Sequence, residues 1–225
     1  LALELRAERL AVAGVTAEAL AVRGRVERPF SAPAGTLEGG GTVLGLPLRL
    51  DLAARPEGPG ARVERGRAEY GPAVLDIAGL LDPGAPRAEG TARLEVPDLA
   101  PFSALAGQPL RGRLSATAEG DSAGTWRLAL EAPELALAGQ SGSARLALAG
   151  ERDAAEVTFA AQGPLARITL AGRTTLAIPL EAEIRQFALE AQGESLRLTA
   201  PARLRYAPPE AAISGLRATT GQGGS

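Results

Sequence analysis

Along most of the chain, apolar and polar residues alternate singly. Leu44, Leu46, Leu48, Leu50 and Leu52 are separated by Gly45, Pro47, Arg49 and Asp51. Leu110, Leu114, Ala116 and Ala118 alternate with Arg111, Arg113, Ser115 and Thr117, and Trp126, Leu128 and Leu130 alternate with Arg127, Ala129 and Glu131. The same spacing returns at Leu146/Leu148, Val157/Phe159, Ile168/Leu170, Leu176/Ile178/Leu180 and Leu196/Leu198. Residues two apart share one face of a strand. Each segment therefore has one apolar face and one face of charged or small residues, as half-buried antiparallel strands do.

Between these segments stand turn-forming runs: Gly39-Gly40-Gly41, Pro56-Glu57-Gly58-Pro59-Gly60, Asp82-Pro83-Gly84, Glu119-Gly120-Asp121-Ser122, Gly139-Gln140-Ser141-Gly142 and Gln192-Gly193-Glu194. Glycine supplies positive φ and proline ends a ladder. The spacing predicts roughly fourteen strands. Pro47 and Pro179 fall inside strand-like runs and predict an edge or a bulge, because proline cannot donate to a ladder. One stretch departs from period two. Leu99, Phe102 and Leu105 lie three apart, with Asp98 placed to cap, Pro101 tolerable in a first turn and Gly107 placed to terminate. A short helix near 98–106 is predicted there. The tail 219–225 is rich in Gly, Thr and Gln and reads as a flexible linker. Residues 1–218 read as one segment with a subdivision point near 97–109.

Composition narrows the picture mainly through what is missing. The chain has no His, Cys, Met, Lys or Asn, so all 24 basic residues are Arg. No thiolate site or disulfide framework is available. With 26 acidic residues the formal net charge is −2, which leaves no basic footprint for nucleic acid. Apolar residues make up 45% and aromatics only 3%, so the apolar faces consist of Leu, Ala, Val and Ile with few large anchors. The apolar runs are too short to span a bilayer as helices. The chain opens inside a strand-like run at Leu1–Leu5, which reads as an internal stretch of a larger protein.

The search for reaction chemistry returns little. Gly120-Asp121-Ser122-Ala123-Gly124 matches G-x-S-x-G, but a strand pattern follows it where the nucleophile elbow needs a helix, and the chain contains no His to act as base. A hairpin turn explains it better. A phosphate loop needs a Lys, and a dinucleotide fingerprint needs a βαβ unit. Glu4, Glu181, Glu183 and Asp51 alternate with apolar neighbours and read as a solvated sheet face rather than a carboxylate pair or a metal site. No cofactor, metal ligand or catalytic residue is expected, and the chain reads as non-enzymatic. Trp126 begins an apolar face and reads as part of it.

The segment Leu94-Glu95-Val96-Pro97-Asp98-Leu99-Ala100-Pro101-Phe102-Ser103-Ala104-Leu105-Ala106-Gly107-Gln108-Pro109-Leu110-Arg111-Gly112 resembles a recurrent element of the TamB family, the translocation and assembly module proteins of diderm bacteria. The Gly-punctuated, Leu/Ala-alternating strands that follow are similar to that family and to the wider AsmA-like group. The resemblance implies an all-β fold, a long, curled, mostly antiparallel sheet with a groove on its apolar side (a β-taco). It implies a periplasmic location and an inner-membrane anchor outside this chain. It also implies a role in moving phospholipid between the inner and outer membranes, with an Omp85-type outer-membrane barrel contacted through regions not present here. On this reading the groove is lined by Leu110, Leu114, Trp126, Leu128, Leu130, Leu146, Leu148, Val157, Phe159, Ile168, Leu170, Leu176, Ile178 and Leu180, and its ligands are phospholipid acyl chains. Two alternatives stand beside it: a scaffold that holds unfolded outer-membrane strands by edge pairing, and a closed β-sandwich or adhesin repeat.

Overall fold

The computed structural model describes residues 2–12, 15–27, 34–58, 60–81, 88–137, 139–175, 180–208 and 210–222. It is all-β, with seventeen strands among those residues, antiparallel in every pairing described below, and one short helical segment. The chain divides into two compact units, Leu1–Phe102 with Thr117–Gly124, and Ser103–Ala116 with Thr125–Ser225.

The first unit is a meander of β1 (Ala2–Val12), β2 (Val15–Glu27), β3 (Ala34–Val43), β4 (Leu46–Glu57), β5 (Gly60–Tyr70), β6 (Ala73–Leu81) and β7 (Ala88–Val96). Each strand pairs with the next. Register puts like with like. Leu5, Val22, Gly39, Leu50, Ala68, Leu75 and Leu94 follow one another across all seven strands. Directly opposed residues share a face, so this row is one line of a continuous apolar side. The residues between them build the other side from ion pairs such as Arg67–Asp76 at 3.1 Å and Arg65–Asp51 at 3.1 Å.

Leu44 and Gly45 both adopt positive φ, 48° and 81°. This is the signature of a two-residue type I′ hairpin, whose twist matches that of the flanking strands. Leu44 therefore leaves the alternating series and is exposed, while Leu46 to Leu52 continue it. Pro47 lies near the start of β4, an interior strand, and its carbonyl accepts a hydrogen bond from the Gly71 N–H at 2.8 Å. Proline is tolerated there because it stands at the strand's beginning, not because the strand is an edge. Pro179 lies outside the described residues.

The predicted helix is a 3-10 turn, Ala100–Phe102, running into α1 (Ser103–Ala106). Asp98 Oδ1 accepts the Ala100 N–H at 2.9 Å, and Gly107 ends the segment with φ 68°. Leu99 is buried, and Phe102 stacks at a tilt on Tyr70 with ring centroids 5.8 Å apart. Leu105, expected on the same stripe, is 55% exposed, because the α-helical turn 103–106 advances about 100° per residue and three-residue steps hold one face only in a 3-10 turn.

The second unit contains β8 (Leu110–Gly120) through Ala116, then β9 (Thr125–Leu137), β10 (Gln140–Glu151), β11 (Ala154–Gln162), β12 (Ala166–Thr175) and β13 (Leu180–Ala191), with β9 to β13 paired in order. Beyond β13 the ladder branches. β14 (Glu194–Ala200) pairs with its C-terminal half and β15 (Ala202–Ala207) with its N-terminal half. Pro201, between them, separates the two. β16 (Glu210–Ser214) pairs with β15, and β17 (Arg217–Gln222) with β14. β17 thus runs into the stretch expected to be a flexible tail. These short strands account for most of the excess over the predicted fourteen, since they carry too few alternations to register as a period.

Candidate functional site

On the second unit the expected lining residues fall into cross-strand rows. Leu130, Leu146, Phe159, Leu170 and Phe187 are mutual register partners from β9 to β13. Leu128, Leu148 and Val157 form the neighbouring row, and Ala132, Ala144, Ala161, Ile168 and Leu189 the one beyond. Trp126 is opposite Gly150 and donates its indole N–H to the Arg152 carbonyl at 3.1 Å. A Cβ added at Gly150 would meet the indole at 2.6 Å, so the ring lies over that glycine. Leu110 and Leu114 are two residues either side of Gly112, whose backbone abuts Glu134 and Leu135 of β9. Leu180 opens β13 opposite Tyr206. Leu176 and Ile178 lie outside the described residues.

Two bulges keep these rows in phase. Between β9 and β10 the register shifts at Gly142/Ala144, where Pro133 and Glu134 together oppose one residue. Between β12 and β13 it shifts at Ala171/Gly172, which takes up Arg185. Each extra residue returns the next apolar side chain to the same face, which strict alternation would have turned outward.

Burial is the decisive property of this surface. The described expected lining residues are all half-buried, and none belongs to the buried core. Among the described residues the buried hydrophobic ones are Ala17, Val63, Val96, Leu99, Ala132, Ala155 and Ala202, mostly small side chains. The leucines pack edge to edge with their neighbours but are not sealed beneath a second layer.

The opposite side of the sheet is a lattice of exposed ion pairs. Arg185 bridges Glu156 at 3.2 Å and Glu183 at 3.1 Å, Arg113 holds Glu134 at 2.9 Å and Arg197 holds Glu190 at 3.0 Å. In the first unit the Arg62 guanidinium, hydrogen-bonded to Glu57, holds that carboxyl below its ordinary range. Among the described residues no group of three or more acidic, His or Cys side chains is arranged to hold a metal ion. Exposed pairs of this kind contribute little stability individually.

The first unit has an apolar side of its own, whose rows through Leu37, Leu50, Leu52 and Leu75 have the same half-buried character. A second feature has no counterpart in the alternation. A cleft of 1110 Å³ sits at one end of the second unit's strands, bordered by Gly112, Leu135, Gly142, Ala166 and Ala191, and by Arg111, Arg167, Glu190 and Arg197. A smaller one of 280 Å³ adjoins Arg145, Arg167 and Ile168. Of the expected lining residues, Ile168 alone borders either cleft. The large leucines form one open surface, while the larger cleft, itself open to solvent, is bordered mainly by small and charged residues.

No protein-family model, curated protein or solved structure matches this chain.

Proposed function

We propose that the chain shields phospholipid acyl chains on its apolar side, as a non-catalytic segment of a periplasmic protein that moves lipid between the inner and outer membranes. The observation that carries this reading is the unsealed apolar surface: rows of Leu, Val, Ile and Phe continuous across five strands, whose described large side chains are half-buried and not sealed. Soluble proteins rarely leave so much contiguous apolar surface without something to cover it. Each CH₂ removed from water is worth about 0.8 kcal/mol, so a 16-carbon tail crossing bare faces a penalty on the order of 10 kcal/mol. A smooth apolar strip offsets most of that without holding the lipid fast, whereas a tight site has a closed pocket with a few placed polar groups. A closed β-sandwich or adhesin module is disfavoured by the same burial, since its two inner faces would seal each other.

Leu128 and Leu148 are direct register partners in the middle of this surface. The purified chain is expected to retain phospholipid by native mass spectrometry. The double replacement Leu128→Arg, Leu148→Arg is expected to lose that lipid while keeping its β-rich circular dichroism, because both side chains already reach solvent. Lipid retained by the folded double variant would overturn the reading.

A further inference from the structure

At the strand ends of the second unit the two sides of the sheet border one cleft. Its walls take Gly142, Ala166 and Leu135 from the apolar side and Arg111 and Arg167 from the polar side. Register places this boundary exactly one residue beyond the apolar surface. The row Ser143, Gln162, Arg167, Glu190 runs directly beside the row Ala144, Ala161, Ile168, Leu189. A ligand lying on the leucine rows and reaching past their end would enter the cleft.

The charges there are unevenly satisfied. Glu134 is held by Arg113, and Glu190, although opposite Arg167 in register, is held by Arg197. Arg145, in the adjoining smaller cleft, faces Glu131 at 3.9 Å. Within the described residues no ion pair or side-chain hydrogen bond engages the guanidinium of Arg111 or Arg167, and Glu194 is the one cleft acid whose carboxylate is similarly free. Two guanidinium groups against one carboxylate favour an anion, and guanidinium suits a phosphate through paired N–H donors.

Resting on the reading that the apolar side carries acyl chains, we infer that this cleft receives the phosphate headgroup of an anionic phospholipid, with Arg111 and Arg167 as its cationic contacts and the tails laid along the leucine rows toward Trp126. Residues 126–133 of β9 span about 23 Å at 3.3 Å per residue. One leaflet of a bilayer's hydrocarbon core is about 15 Å deep, so a tail anchored at the cleft ends about 8 Å short of Trp126, with its methyl end nearer the indole than its carbonyl end.

Trp126 is the single tryptophan, and bromine quenches its emission on contact. The full chain is titrated with vesicles of phosphatidylglycerol or phosphatidylcholine brominated either near the carbonyl or near the methyl end. Methyl-end bromines are expected to quench more strongly, and phosphatidylglycerol to half-saturate at about tenfold lower concentration, the worth of one good charge-assisted contact. R111Q/R167Q is expected to reduce that preference to about twofold or less while phosphatidylcholine still quenches, and the exposed R127Q, outside the cleft, to leave it unchanged. A preference that survives R111Q/R167Q, that is lost equally in R127Q or that is absent from the wild type overturns the headgroup site while leaving the acyl-chain reading intact. Stronger quenching from carbonyl-end bromines overturns the orientation. Release of phosphatidylglycerol by inorganic phosphate, with phosphatidylcholine unaffected, would reassign the cleft to free phosphate. If no lipid quenches Trp126, the acyl-chain reading fails, and the headgroup site fails with it.

Discussion

On the apolar side of the first unit, Leu37 lies over Gly24, Val22 over Gly39 and Leu20 over Gly41; on that of the second, Leu130, Leu146, Phe159 and Leu170 stand abreast across four strands. A Cβ added at Gly24 would meet Leu37 Cδ1 at 3.0 Å, and one at Gly41 would meet Leu20 Cδ2 at 2.8 Å. In the first unit the partner strand's missing side chain is the seat into which a leucine folds. In the second, large side chains are buttressed by equally large neighbours. A sheet face lacking a second layer can thus half-bury its apolar groups in two ways. The first depends on the absence of side chains at particular places, and the second on their presence.

The largest test of that contrast is Gly79→Val in the first unit. Gly79 opposes Gly90, has φ 153°, and a Cβ there would stand 2.2 Å from the Glu89 carbonyl oxygen. Overpacking against backbone combined with a φ that L residues rarely adopt is expected to cost about 3 kcal/mol or more, read by guanidinium denaturation. A loss below about 1 kcal/mol would show that the strand spacing is not set by that glycine pair.

Phe159→Ala probes the second unit. A fully buried Phe costs about 3–5 kcal/mol on truncation, so this half-exposed one is expected to cost about 2. A loss at the fully buried level would mean that another layer covers the row. Gly150→Ala should cost about as much, about 2 kcal/mol, because its Cβ would stand 2.4 Å from the Ala154 carbonyl oxygen as well as 2.6 Å from the indole. Its readout is a red shift of Trp126 emission as the indole leaves its seat.

The smallest effect belongs to the polar side. Because the Glu57 carboxyl is held down by Arg62, the stabilisation from this pair is complete above the ordinary carboxylate value of about 4.3 and fades as pH falls through the lowered folded value. The difference in Tm between wild type and E57Q is expected to shrink as the buffer is taken from about pH 6 to about pH 3. A difference that grows on acidification would reverse the assigned sign.

Much of this was legible in the chain itself. Alternation located strands at Leu46–Leu52, Leu110–Ala118, Trp126–Leu130, Leu146–Leu148, Val157–Phe159, Ile168–Leu170 and Leu196–Leu198, and Asp98 with Gly107 marked the short helix. Leu44 was misplaced because a type I′ turn preserves the appearance of alternation while taking its first residue out of the strand. Leu105 was misplaced because a three-residue spacing keeps to one face of a 3-10 turn but drifts off it where the backbone becomes α-helical. The cleft had no local sign, since glycine, alanine and arginine at strand ends are ordinary turn-flanking residues until register brings them together.

Period two alone determined that the protein is all-β with one apolar side, because successive side chains on an extended backbone must point in opposite directions. Only the tertiary structure decided that this side remains unsealed, which leucines settle over which glycines, and that Arg111 and Arg167 border one cleft. Those outcomes depend on pairing between strands, and a bulge such as Pro133–Glu134 shifts the phase of everything beyond it. Pairing is a through-space relation that no short window of sequence contains.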